Sequence, residues 1–160
     1  QEVDPTGYLL CKKHAQSVRA FWNGSQLLSK TGKPLMVPRD ILASFPQGVE
    51  MDGELTIRGG QAQDLLKVIR SKSYESWLQI QFCVFDLPSM AHQPLSARVA
   101  ELQKMQQSNT VPFLAFAEYT QCQGITHLNQ LLQDSRQHHY EGMLFRHPSS
   151  LYMRPAKKFE

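Results

Sequence analysis

At 160 residues and 18.3 kDa the chain suits one domain that buries roughly two-thirds of its unfolded surface, and it is too short for two of ordinary size. Hydrophobic residues at 41% and charged residues at 19% exclude a disordered, collagen-like or coiled-coil chain, and no apolar run approaches the ~18 residues of a membrane span. Seventeen Lys and Arg against fourteen Asp and Glu leave +3, which tolerates a polyanion without identifying one.

The polar start, Gln1 to Thr6, has no apolar signal-peptide stretch, and an opening on Gln rather than Met suggests trimming. Gly7 to Lys13 then reads as a strand that ends in basic residues. Val18 to Trp22 and Gln26 to Lys30 flank Asn23-Gly24, a strong hairpin signal. A loop around Gly32, Pro34 and Pro38 separates this hairpin from a strand over Val49 to Arg58, closed by Gly59-Gly60. Leu65, Leu66 and Ile69 predict a helix over Gln61 to Arg70, and Leu95, Val99, Leu102 and Met105 predict another over Leu95 to Gln107. Between them Trp77 to Asp86 alternates, with Leu78, Ile80, Phe82 and Val84 on one face and Gln79, Gln81, Cys83 and Phe85 on the other. Val111 to Tyr119 reads as strand, Ile125 to Asp134 as helix, and Tyr140 to Arg146 as a last strand. Strands broken by single helices, with tight hairpins, predict an antiparallel-rich α+β fold rather than a doubly wound parallel sheet. Cys11, Cys83 and Cys122 are far apart, without a C-x-x-C pair, and read as buried thiols. The adjacent His138 and His139 read as a solvated loop pair.

Four clusters carry chemistry. Lys12, Lys13 and Arg19 bring cations to a strand edge; a lysine crowded by cations loses proton affinity, and a neutral amine can attack phosphorus. Asp52 and Glu54, two apart on a strand, share a face and suit a hard cation such as Mg2+. Phe85 falls on the less apolar side of its strand, where it can stack on a base or pack beneath a helix. Alternation places Glu141 and Arg146 on opposite faces of the last strand, which suits a metal role for one and a phosphate role for the other. Each cluster taken singly also has an ordinary structural reading.

In chain order the sequence shows Val18-Arg19 followed by Trp22-Asn23-Gly24, then Ser29-Lys30-Thr31-Gly32-Lys33-Pro34, Asp52-Gly53-Glu54, Phe85-Asp86-Leu87-Pro88 and Glu141-Gly142-Met143-Leu144-Phe145-Arg146. This series resembles the adenylation (nucleotidyltransferase) domain of ATP-dependent DNA ligases of the small bacterial type. That family carries K-x-D-G-x-R, D-G-E, an aromatic-Asp strand, E-G-x-x-x-R and a final K-x-K. The resemblance implies the nucleotidyltransferase fold and sealing of nicks in duplex DNA with ATP and Mg2+. A lysine first takes AMP, the AMP passes to the 5′-phosphate of the nick, and the 3′-hydroxyl displaces it. It further implies that Glu54 holds the ribose or a metal-bound water, Phe85 stacks on adenine, Glu141 helps place Mg2+, and Arg19 meets the ribose or the nick phosphate. Lys12 and Arg146 would belong to the nucleotide site, and Ser29, Lys30 and Lys33 to the DNA path. A lysine at Lys30 where relatives carry arginine keeps the charge without the planar fork.

The lysine motif departs from the pattern. Counting forward from Gly7-Tyr8-Leu9-Leu10 places the nucleophile at Lys13; counting back from Val18-Arg19 places it at His14. Ala15, Gln16 and Ser17 stand where the motif has Asp-Gly. A one-residue bulge would let Lys13 present its amine, so Lys13 is the expected nucleophile. The alternative is a pseudoenzyme that binds nucleotide, DNA or a protein partner without chemistry; an RNA ligase or capping enzyme is a further reading. Residues 1–160 are expected to form a single adenylation-type domain without the K-x-K end or the OB-fold, monomeric and free of membrane contact. The resemblance leaves bacterial cytoplasm and periplasm both open.

Overall fold

A computed structural model describes residues 4–14, 16–58, 63–71, 73–138 and 140–153. Two sheets organise it. The larger is built from β2 (Val18–Trp22), β3 (Leu27–Ser29), β4 (Met51–Ile57), β5 (Ile80–Asp86) and β6 (Leu114–Phe116), in the order β3-β2-β4-β5-β6. Its pairs are antiparallel except β5 with β6. The smaller sheet has β1 (Leu9–His14) between β7 (Tyr119–Gln121) and β8 (Tyr140–Arg146), antiparallel to both. The expected antiparallel-rich α+β class is the one observed.

Alternation along the central strands separates two faces. Ala20 and Trp22 of β2, Met51 and Leu55 of β4, and Phe82 and Val84 of β5 are buried on one face and form the main core. Phe45, just after α1 (Arg39–Ala43), sets its ring 5.1 Å from Trp22 and 6.1 Å from Phe82. Trp22 Nε1 donates to the Pro46 carbonyl and Trp77 Nε1 to that of Ser71, so neither indole buries an unpaired N–H. Leu65, Val68 and Ile69 of α2 (Gln63–Arg70) join this core, as does Trp77 at the end of α3 (Tyr74–Trp77). Burial of each such large apolar side chain contributes about 1.5–3 kcal/mol. Helix α4 (Leu95–Ser108) packs on β5 and β6 through Leu95, Val99 and Leu102, and α5 (Ile125–Gln137) packs on β8.

The hairpin at Asn23-Gly24 forms, although its loop takes in residues 23–26. Asn23 Oδ1 accepts from the backbone N–H of Ser25 and Gln26, and Gly24 supplies φ 101°. Three expectations need correction. The region around Pro38 contains helix α1, which starts directly after that proline. The strand expected from Trp77 starts at Ile80, because Ser73 caps α3 and the turn after it leaves Leu78 at 45% exposure. The single strand expected over Val111 to Tyr119 is two strands in different sheets, and the buried phase slips from Leu114 and Phe116 to Tyr119. Gly59-Gly60, Gln61 and His139 lie outside the described residues. All three cysteines are buried free thiols, and His138 is exposed at the end of α5, as expected.

Candidate functional site

The sheet face opposite the core meets the smaller sheet, and the chemistry-bearing residues gather along that seam. Cross-strand register places Arg19 opposite Glu54 and Phe21 opposite Asp52, so these four side chains share the face. Arg19 donates from Nε to Asp52 Oδ1 at 3.2 Å and from Nη2 to Oδ2 at 2.7 Å. Its guanidinium lies 5.1 Å from the Phe21 ring and 5.6 Å from the Phe85 ring. Tyr152 donates its hydroxyl to Asp52 Oδ2 at 2.8 Å. Burial pushes the Asp52 carboxyl up, with Arg19 and Tyr152 opposing it and the Asp86 charge adding to it.

Gly53, between the two acidic residues of β4, is required by space. A Cβ there would press into the Cys83 carbonyl and the Phe82 ring, so the strands close up only around glycine. A register shift between Asp52 and Gly53 brings Asp86 directly opposite Asp52, with Phe85 beside it.

Asp86 is the second centre. Its Oδ1 accepts from Arg98 Nε at 2.7 Å and from the Leu87 N–H at 2.8 Å, and its Oδ2 accepts from Arg146 Nη2 at 2.7 Å. Arg98 is fully buried at 0% exposure; its Nη1 donates to the Gln93 and Ser150 carbonyls. Arg146 Nη1 donates to the Tyr119 hydroxyl, which donates in turn to the Phe85 carbonyl. Burial acts to raise the Asp86 carboxyl, but Arg98 and Arg146 outweigh it and hold the carboxyl below the usual range. Arg146 thus ties β8 to β5 through Asp86, and the nucleotide contact expected of it must share this guanidinium.

At the end of β1 the expected residues diverge. Lys12 Nζ lies 3.5 Å from Asp134 on α5 and 5.2 Å from the Tyr140 ring centroid, on the helix side of the smaller sheet. Lys13 Nζ lies 3.5 Å from Glu141 Oε2, with both side chains largely exposed. His14 Nδ1 lies 3.1 Å from Glu54 Oε2, across the seam. Lys13 pairs with Gly142 and His14 with Tyr140, so the extra residue is Glu141 on β8 and the bulge is not in the lysine motif itself. The altered motif instead contains Gln16 with φ 59°, while Ala15 lies outside the described residues.

Glu54 and Glu141 are engaged by different partners, and among the described residues no group of three His, Cys, Asp or Glu forms a metal cage. Mg2+ takes one or two carboxylates together with substrate phosphates rather than an all-protein cage, and Glu54 and Glu141 are the two carboxylates expected in that role. Cys11 and Cys83 border the seam, but burial pushes both thiols up to about 12, with the Glu54 charge contributing, so neither supplies a thiolate at neutral pH. Ser29 lies opposite Ala20, which puts the Ser29–Lys33 turn at the Arg19 end of the larger sheet. Ser29 Oγ accepts from the Lys33 N–H at 3.1 Å, and the Lys30 and Lys33 side chains are exposed.

Arg98 and Tyr152 were not singled out from the sequence. The signal for Arg98 was a charged residue in phase with Leu95, Val99 and Leu102; Tyr152 gave none.

Comparison with known proteins bears on this arrangement. The family model for the ATP dependent DNA ligase domain matches residues 26–159. A DNA ligase of Haemophilus influenzae is 28% identical over 148 residues, covering 92% of this chain and 54% of that protein. A structure from work on DNA binding with a minimal scaffold in Lig E DNA ligases superposes with TM-score 0.83 at 24% identity, over 98% of this chain and 62% of that one. The Chlorella virus DNA ligase-adenylate superposes with TM-score 0.73 at 22% identity, over 92% of this chain and 57% of that one. The chain spans about half the length of the curated relative it matches. Its fold is that of a ligase adenylation domain, and the chain belongs to the ATP-dependent DNA ligase domain family.

Proposed function

We propose that this chain is the nucleotide-charging module of an ATP-dependent DNA ligase, taking AMP from ATP onto Lys13 at the end of β1 and passing it to the 5′-phosphate of a nick in duplex DNA. One observation carries the reading: Arg19, Glu54 and Phe85 stand on three adjacent strands along one seam, with Glu54 meeting the end of β1. Phe85 offers its ring to adenine, Arg19 its guanidinium to the ribose or the nick phosphate, and Glu54 its carboxylate to the ribose or a metal-bound water. Lys12 and Arg146 supply positive charge around the phosphates. Glu54 and Glu141 would hold Mg2+, which neutralises phosphate charge when bound. Ser29, Lys30 and Lys33 form the exposed edge along which a DNA backbone would run, with a monomer as the acting unit.

The test is equilibrium binding of ATP with Mg2+ to the whole chain. Phe85→Ala is expected to weaken binding about 5- to 150-fold, the worth of ~1–3 kcal/mol of base stacking. No ATP binding, or binding indifferent to Phe85→Ala, would overturn the reading. A second reading, nucleotide and nick binding without chemistry, is favoured by one feature: among the described residues it is His14 that meets Glu54, while Lys13 pairs with Glu141. In that case salt-sensitive binding to nicked duplex persists and no covalent AMP forms.

A further inference from the structure

Resting on the reading of the seam as a nucleotide and nick site, we propose that Tyr152 is a positioning residue for that site, holding Arg19 in register with its ligand through Asp52. Arg19 gives one edge of its guanidinium to Asp52, Nε to Oδ1 at 3.2 Å and Nη2 to Oδ2 at 2.7 Å. Its other edge is open: among the described residues Nη1 makes no hydrogen bond, and the side chain is 32% exposed. A two-bonded fork keeps guanidinium and carboxylate nearly coplanar, so the plane of Asp52 sets the direction in which the open edge points. A carboxylate turns about its terminal bond with only a broad preference of its own. A partner besides the arginine is therefore needed to fix that plane, and the Tyr152 hydroxyl, donating to Oδ2 at 2.8 Å, is the one present.

A tyrosine fixes a carboxylate only if its own backbone is held, and the segment after β8 is held by α4. The Leu95 N–H donates to the Ser150 carbonyl and the Ser96 N–H to the Pro148 carbonyl, both at 2.9 Å. The segment thus answers two of the N–H groups that open the helix, where Pro94 offers no side-chain cap. Arg98 Nη1 donates to the same Ser150 carbonyl at 2.9 Å, which roots the segment in the buried Asp86 cluster. Two residues on, Leu151 and Met153 are exposed while Tyr152 between them is half-buried, turned inward to Asp52. The path from the rigid cluster to the open guanidinium edge therefore runs Arg98, Ser150, Tyr152, Asp52, Arg19, every link a hydrogen bond or a short stretch of chain. Tyr152 need not touch the ligand to act on it.

The experiment is a double-mutant cycle on the whole chain. Wild type, Arg19→Ala, Tyr152→Phe and the double variant are titrated with ATP and Mg2+ and with 5′-phosphorylated nicked duplex DNA, and the cycle is read on whichever ligand Arg19→Ala weakens. Tyr152→Phe is expected to weaken that ligand about 2- to 12-fold, the worth of one hydrogen bond, and to have no effect once Arg19 is Ala. A tyrosine that merely stabilised the fold would lower the unfolding midpoint and leave the dissociation constant of the folded chain unchanged. Where Arg19→Ala does not fold, Arg19→Lys takes its place; it keeps the charge but has no fork for Asp52 to orient, so the Tyr152→Phe loss is again expected to vanish. No loss in Tyr152→Phe, or an equal loss in both backgrounds, overturns the proposal and leaves the site standing. So does an Arg19→Ala variant that binds both ligands as the wild type does. Failure of the wild-type chain to bind either ligand overturns the reading of the seam itself, and this proposal with it.

Discussion

Asp52 and Asp86 face each other across the β4–β5 ladder, both at 0% exposure, and the chain treats them in opposite ways. Two like charges directly opposite on adjacent strands repel, and here there is little water to screen them. Asp86 is answered by two guanidiniums, one of them fully buried, together with a backbone N–H, and its carboxyl sits below the usual range. Asp52 has the single, partly exposed Arg19 and the hydroxyl of Tyr152, and burial pushes it up. The difference separates an ion cluster that ties several elements together from one at the edge of the seam. Arg98 and Arg146 join α4, β5 and β8 through Asp86. Arg19 stands beside two aromatic rings at the surface of the seam, held by a single carboxylate, and it is there that the proposed function has its guanidinium meet the ribose or a phosphate.

Breaking the stronger cluster should have the largest effect. Asp86→Asn leaves Arg98 buried without its counter-charge and is expected to cost about 3–5 kcal/mol, read by urea unfolding. Unchanged stability would show that the Arg98 guanidinium is satisfied by the Gln93 and Ser150 carbonyls alone. Gly53→Ala, which forces apart the strands carrying both carboxylates, should cost about 1–3 kcal/mol by the same measurement. The pH dependence sharpens the contrast further. Because the folded state lowers the Asp86 carboxyl from its ordinary 3.8, its stabilisation is present above that value and is lost as pH falls towards the depressed one. The stability gap between wild type and Asp86→Asn should therefore narrow on acidification below about pH 4. A gap constant with pH would mean that Asp86 is not held ionised by the two arginines.

Much of this architecture was legible in the residue pattern, because period-two alternation and Gly or Asn turns are local signals. The termini of β2 and β8 were placed as observed, and the Asn23-Gly24 turn was read from two residues. The split of Val111 to Tyr119 was hidden because the phase slip spans only Ala117 and Glu118, too short a window for periodicity to register. At the site, the motif order singled out Arg19, Glu54, Phe85 and Glu141, and alternation put Asp52 on the face of Glu54, where the strand register has it. Partner choice was not legible. Which acid Arg19 grips depends on the arginine fork reaching along the strand from its register partner Glu54 to Asp52. The bulge at Glu141 depends on pairing between strands more than a hundred residues apart. Arg98 was missed because helical periodicity treats a charged residue on an apolar face as a boundary rather than as a buried counter-ion.

The smallest predicted effect tests the weaker cluster. Tyr152→Phe removes one hydrogen bond to Asp52 and leaves Arg19 as its sole side-chain partner among the described residues. The expected cost is about 0.5–1.5 kcal/mol, below that of either β4–β5 variant. Burial raises the Tyr152 hydroxyl, with the Asp52 charge adding to it, so the phenol remains a donor across the neutral range and this contribution should not vary between pH 6 and 8. Equilibrium unfolding of wild type and Tyr152→Phe at several pH values measures both quantities. Loss approaching that of Asp86→Asn would place the two carboxylates in one cooperative network. A loss of about 1 kcal/mol, additive with Asp86→Asn in the double variant, would show them to be separate, as the different roles of Arg19 and Arg98 require.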